Sequence, residues 1–338
     1  MNTRKHISLG KNHLLKLAIA IVVLALAWIF YFFANDYALT VANSAIIYFF
    51  CSVTVVLLLG LCGQLSFVSV SFMGLGAFFA GQLAKNFDIN PLLAIPLAIF
   101  LTTILAFFLG FLLLRLKGPF FIFGTMALVN IFQTIFQNFR PLSGGPDGLY
   151  GIPKLELFGI TFDTYRKWFW VLLFCAFLVA VFVKRIRDTS LGRSMMAVRD
   201  NEIAAQGMGV NIKQTKLIAF VLSAAIAAFG GALLCFHNGV VSSTLFTFSV
   251  QMRFLTMAML GGINSIIGTA FGTAVVVCLP EFFRVLERYM TLFYGVGTIL
   301  MMIFMPTGIA GLAKKYIGGA LRTLNARKEA QADAGIKS

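Results

Sequence analysis

The chain has 338 residues, of which 59% are hydrophobic and 12% charged, and its mean hydropathy is +0.91; this excludes a water-solvated globule, because too little polar surface remains to cover the apolar residues. A formal charge of +15 could suit a nucleic-acid partner, but the basic residues stand between apolar runs rather than along one face of a domain, so nucleic acid is set aside. The cysteines Cys51, Cys62, Cys175, Cys235 and Cys278 fall in apolar runs without CxxC spacing and read as small buried hydrophobes, so no metal site is expected.

Apolar runs follow one another from about Leu14 to about Met305. Lipid offers no hydrogen-bond partner, so each run must be a helix or a strand of a closed barrel, and the runs lack the polar alternation of barrel strands. The fold class is therefore all-α, a polytopic transmembrane helical bundle. A span needs roughly 20 residues. Residues 1–13 read as a cytoplasmic N-terminus. The run 14–34 follows Arg4, Lys5 and Lys11 and is too long for a secretory signal, so it reads as the first span. Further spans are expected at 41–61, 63–84, 91–114, 119–139, 168–183 and 216–236. The less regular stretch from Gln251 to Pro306 is divided into segments near 251–261, 265–280 and 290–306. Its break at Gly261-Gly262-Ile263-Asn264-Ser265 reads either as a junction of half-helices buried in protein or as a loop between tilted spans. The membrane-spanning region is then 14–313, with about ten spans by length and charge, and 314–338 is a basic tail.

Loop charges set the orientation. The segment 184–216 carries Lys184, Arg185, Arg187, Arg193, Arg199, Lys213 and Lys216 against Asp188, Asp200 and Glu202. Arg115 and Lys117 mark a second basic turn, and the tail from Lys314 is basic again. The bias of Lys and Arg toward cytoplasmic loops places these segments inside, the loop 140–167 outside, and both termini in the cytoplasm.

Small residues at four-residue spacing, Gly76/Ala80/Ala84, Ser223/Ala227/Gly231 and Gly268/Gly272, let helices approach closely. In the fifth span Asn130, Gln133, Thr134, Gln137 and Asn138 form one polar stripe at helical spacing. Facing lipid it would lack partners, so it is expected to face the bundle interior or a wet cavity, as a pathway lining or as a set of interhelical hydrogen bonds. A second polar patch, Gln64, Ser66, Ser69 and Ser71 after Gly63, opens the third span, and its turn-like start could expose carbonyls to the same pathway. The external segment from Pro141 to Pro153 is dense in Gly and Pro, hence shaped by turns; it reads as a connector or as a docking surface. Inside, Met195 to Gln206 contains no helix breaker, and Met195, Val198, Glu202, Ala205 and Met208 fall near one face, so one short surface helix ending at Gly207 or Gly209 is predicted. Such a helix is either a solvated connector or a knob for a groove on a soluble partner.

The run Glu202-Ile203-Ala204-Ala205-Gln206-Gly207-Met208-Gly209 resembles the E-A-A-x-x-x-G loop through which ABC-importer permeases contact their ATPases. With Gly63-Gln64-Leu65-Ser66-Phe67, Leu116-Lys117-Gly118-Pro119-Phe120-Phe121, Gly144-Gly145-Pro146-Asp147-Gly148-Leu149, Gly261 to Gly268 and Met305-Pro306-Thr307-Gly308-Ile309-Ala310-Gly311, the chain is similar to the branched-chain amino acid ABC permease family over residues 40–312, in its M-type branch. The resemblance implies a subunit of the bacterial inner membrane that forms a heterodimer with a second homologous permease. It also implies two cytoplasmic ATPase subunits and a periplasmic substrate-binding protein. Arg193, Arg199, Asp200, Glu202, Ala204, Ala205, Gly207 and Gly209 would then belong to the ATPase-coupling region. Gly144, Gly145, Asp147 and Gly148 would belong to the docking surface for the binding protein. Asn201, where many members carry an acid, and the phenylalanine-rich spans depart from the family pattern.

No G-x-x-x-x-G-K-[ST] phosphate loop occurs, so ATP and Mg are expected on the partner ATPases, with no cofactor on this chain and no enzymatic activity of its own. The cargo implied is Leu, Ile or Val. A urea or short-amide permease of the same family is the alternative, since fold does not dictate cargo. An ion-coupled secondary transporter is a further alternative, disfavoured because the first seven expected spans lack interior ionisable groups apart from Lys16 near one end.

Overall fold

In the computed structural model the described residues are 28, 31–32, 34–116, 118–157, 160–162, 164–282 and 296. All of the expected last span near 290–306 except residue 296, nearly all of the expected first span, and the terminal segments 1–13 and 314–338 lie outside them. Among the described residues the regular structure is helical, apart from one two-residue antiparallel pairing, β1 (Glu156–Leu157) with β2 (Ile160–Thr161), and an isolated bridge between Leu149 and Val241.

Helix α1 (Asp36–Val55) continues through a π-helical turn, Val56–Leu61, and then stops. Residues 62–68 run irregularly, with Gly63 at φ +68°, before α2 (Ser69–Asn86) begins. The sequence places the start of this span at residue 63; the backbone places it six residues later, after a buried non-helical stretch. Helix α3 (Pro91–Leu113) and helix α4 (Pro119–Asn138) both have proline in the first turn, where its missing N–H costs no hydrogen bond. The short α5 (Arg140–Ser143) starts the long external-loop candidate. Then come α6 (Tyr165–Asp188), α7 (Ser190–Asp200), α8 (Glu202–Gly207), α9 (Ile212–Asn238), α10 (Phe248–Gly261) and α11 (Ile266–Phe282). Five of these, α1 with its π turn, α3, α4, α6 and α9, are long and apolar enough to cross a membrane.

The centre of the bundle is α9 against α2 and α3. A side chain on Gly76 would strike the backbone of Ala228, and one on Gly231 would strike the carbonyl of Met73, so the two expected small-residue faces meet each other. Gly272 likewise abuts Gly261 across the α10–α11 turn. Between membrane helices this close packing replaces the hydrophobic drive that lipid does not supply. Helix α3 contributes a stripe the sequence reading passed over: Ala94, Ala98, Thr102, Ala106 and Gly110, four residues apart, are all buried. Its other sides expose Leu93, Phe100, Phe108, Phe111 and Leu112, as does α6 with Phe174, Phe177 and Phe182, the surface expected of helices facing hydrocarbon. The phenylalanine richness is thus divided between such outward faces and an inner cluster in which Phe78, Phe136 and Phe246 pack with centroids 4.9–5.8 Å apart.

Helices α10 and α11 join through a tight turn at Gly262–Ser265, with Gly262 at φ +102°. The break that the sequence reads in two ways is a turn between two helices of 14 and 17 residues. Ahead of α10, residues 239–247 are non-helical except for a single 3-10 turn, and they insert Phe246 beside Gly74 in the middle of α2.

Candidate functional site

At one end of the bundle lie α7, α8, the end of α1 and the α10–α11 turn. The predicted single rod from Met195 to Gln206 is in fact two helices. Asn201 adopts an extended backbone, φ −161° and ψ 110°, and its Oδ1 accepts from the Ala204 N–H, so it caps α8 and ends α7. The residue noted as departing from the family pattern is the one at the break. Met195, Val198 and Ala205 are buried, while Glu202 and Met208 of the same predicted face are exposed. The break explains the difference, because α8 no longer continues the helical phase of α7.

Arg199 turns inward from this junction. Its Nη1 donates to the Gly60 carbonyl at 2.6 Å and to Asn264 Oδ1 at 3.2 Å, while Nε and Nη2 donate to Asp200 Oδ1 at 2.9 and 2.8 Å. Arg187 donates to the Asn264 carbonyl at 3.2 Å. Gly63 packs directly on Arg199: a side chain there would lie 2.9 Å from Arg199 Cγ. Arg193 donates to the carbonyl of Asp188 at 3.0 Å and is otherwise exposed. Glu202 pairs with Lys216 of α9 at 2.6 Å. Ala204, Gly207 and Gly209 are exposed, with open space beside both glycines. Next to them Ile203 and Met208 are 84% and 86% exposed. These two were absent from the expected coupling set; the signal was an isoleucine and a methionine stranded in a charged loop, which an unpartnered apolar knob requires.

The two polar groups of the expected pathway do not converge within this chain. Gln64, Ser66, Ser69 and Ser71 are buried in and after the α1–α2 break. Ser69 Oγ accepts from Thr54 Oγ1 at 2.7 Å and Ser66 Oγ faces the Val68 N–H at 3.5 Å, whereas both amide atoms of Gln64 are buried without a hydrogen-bonding partner. The α4 stripe, by contrast, points away from the bundle: Asn130, Thr134, Gln137 and Asn138 are exposed and Gln133 is half-buried, while Phe121, Thr125, Leu128, Val129, Phe132 and Phe136 form the inward face. The expectation that the stripe faces the interior of this chain's bundle is therefore corrected. Hydrophobicity decided the rotation of α4, because Phe121, Phe132 and Phe136 pack inward. One link joins the two regions: the Phe67 N–H donates to Thr125 Oγ1 at 3.3 Å.

The opposite end is built by the 140–157 segment. Gly144, Gly145 and Gly148 have φ of +78°, +79° and +85°, values that glycine adopts without steric cost. Gly148 lies against the Val241 carbonyl, and Leu149 and Val241 exchange two backbone hydrogen bonds of 2.8 and 3.0 Å. Gln82 Nε2 of α2 donates to the carbonyls of Pro141 and Leu142 at 2.9 and 2.7 Å. The loop is thus shaped and pinned, with Asp147 exposed on it. A cavity of about 260 Å³ opens beside it, lined by Ala84, Lys85, Asp88, Asn90, Gly151 and Pro153 among others. Nearby, Asn43 Nδ2 donates to the Tyr165 carbonyl at 3.0 Å and lies 3.2 Å from His237 Nε2, tying α1, α6 and α9 together. Among the described residues no cluster of three or more His, Cys, Asp or Glu could hold a metal ion.

Residues 37–305 match the family described as branched-chain amino acid transport system / permease component. The chain is 30% identical, over 88% of its own length and 75% of the relative's, to the high-affinity branched-chain amino acid transport system permease protein LivM of Salmonella typhimurium. It is 29% identical to the protein of the same description in Escherichia coli, again over 88% of this chain and 75% of the relative. It is also 30% identical, over 55% of its length and 64% of the relative's, to the high-affinity branched-chain amino acid transport system permease protein LivH of Salmonella typhimurium. No solved structure matches.

Proposed function

The chain belongs to the family of branched-chain amino acid transport system permease components, and from that premise we propose that it is the membrane subunit of an ABC importer that moves Leu, Ile or Val inward, driven by ATP hydrolysed on partner subunits. The observation that carries this reading is the bipartite α7–α8 hairpin, with exposed Ile203 and Met208 on one side and Arg199 anchored in the bundle on the other. An apolar pair at the tip of a polar, bundle-anchored element suits a groove on a soluble motor. In this reading α7 and α8 lie on the cytoplasmic side and the 140–157 loop on the periplasmic side, where Gly144 and the buried Gly145 and Gly148 shape a turn that presents the exposed Pro146 and Asp147 to a binding protein. About ten spans with both termini inside follow from charge and span length.

The outward polar stripe of α4 supports a pathway shared with a second, homologous permease. Amides and hydroxyls on lipid would lack partners, so a stripe exposed in one chain is best covered by another chain across a wet seam. Neutral dipoles there suit the charged ends of a zwitterion, and apolar neighbours such as Phe123 and Ile131 suit its side chain. Deleting Met195–Gly207 is expected to abolish co-purification of the ATPase while the permease still inserts in the membrane; undiminished co-purification would reject the assignment.

A further inference from the structure

Three features at the coupling end meet on one side chain. The first is the π-helical turn Val56–Leu61 that ends α1. The Leu58 carbonyl accepts from Cys62 and Gln64 and the Leu59 carbonyl from Cys62 and Gly63, while the Gly60 carbonyl receives the Arg199 guanidinium. The exposed carbonyls at a helix C-terminus carry partial negative charge, so a cation from a distant segment is the natural cap. The second is the α10–α11 turn, whose Ile263 carbonyl lies so close to Gly60 that a methyl group there could not be placed, and whose Asn264 side chain accepts from the same Arg199. The third is Asp200, which holds the guanidinium by two donors and so fixes its orientation.

We propose that Arg199 is a positioning residue that transmits movement of the α7–α8 hairpin to the α1–α2 break and the α10–α11 turn, rather than a contact for the ATPase. This rests on the reading of the chain as an ATP-driven permease. The geometry suits a strut. Asp200 ties the guanidinium to its own hairpin, and the other donors grip two elements that meet at Gly60. A displacement of α7 therefore pulls on both at once. The receiving element is an irregular one: π turns and breaks absorb register change at lower cost than a continuous helix. Residues 62–68 behind it lead to Phe67, whose N–H is held by Thr125 of α4, so the same movement reaches the helix that carries the polar stripe.

The test is the ratio of cargo imported to ATP hydrolysed by the full complex in proteoliposomes. In Arg199→Gln the ATPase should still co-purify and still hydrolyse ATP, while the ratio falls at least about tenfold, as loss of a charge-assisted contact made during the transition would give. An unchanged ratio would overturn the proposal. So would loss of the ATPase from the purified complex, which would place Arg199 on the docking surface and leave the proposed function standing. Should Arg199→Gln fail to reach the membrane, the pair Asn264→Asp and Asn264→Leu decides. The aspartate keeps an acceptor and should keep the ratio, whereas the leucine should lower it, and equal ratios in the two would overturn the strut.

Discussion

Asn130, Thr134 and Asn138 each donate to the carbonyl four residues back on α4, at 3.1, 2.9 and 2.9 Å, so part of their polarity is spent on their own helix. Gln133 and Gln137 have no hydrogen-bonding partner among the described residues, which leaves them as the free amides of the stripe. Replacing both by Leu should lower uptake by about tenfold or more, through loss of interactions made only while cargo passes. Assembly with the second permease and the ATPase should persist; unchanged uptake would make the stripe a structural seam. The membership of this stripe was legible in the sequence because helical periodicity states which side chains share a face. Its direction was not, because periodicity does not say which neighbour covers that face. The same limit hid Arg199: the sequence marked it as a basic residue of an inside loop, and only the fold brings Gly60 and Asn264 to it from positions far away in the chain.

The elements follow from patterning where a long apolar run decides the outcome and diverge where a single polar residue does. Helices α3, α4 and α9 begin and end close to their expected bounds. The α7–α8 break turns on Asn201, whose side chain competes for a backbone N–H and so favours a cap over a helix interior; apolar periodicity carries no trace of that choice. The α1–α2 break is similar, with Gly63 in a left-handed conformation and a buried irregular run before Ser69. The small-residue faces were read correctly as sites of close approach, and α2 against α9 shows why they are intolerant. Gly231→Leu would place four carbons where the Met73 carbonyl already sits. Such overpacking costs about 1–3 kcal/mol or more, so the variant should melt at lower temperature in detergent and accumulate less in the membrane. Substitution of exposed Phe108 on α3 by Leu should leave both quantities unchanged. Equal stability of the two variants would contradict the packing described for α2 and α9.

At the scale of the whole molecule, the chain combines an apolar exterior, a hairpin at one end anchored by Arg199, a pinned glycine-rich loop at the other, and a polar stripe turned outward. In the proposed function these features form a gate moved by partner ATPases and completed by a second permease across α4. The membrane class, the all-helical fold and the family were legible from composition and from short motifs, since burial in lipid imposes the first two. The measurement that bears most directly on the account is radiolabelled leucine uptake into proteoliposomes, with this chain reconstituted either alone or with its second permease, ATPases and binding protein. Uptake is expected only in the complete assembly with ATP and Mg present, competed by isoleucine and valine and not by urea. ATP-independent accumulation by this chain alone would contradict it.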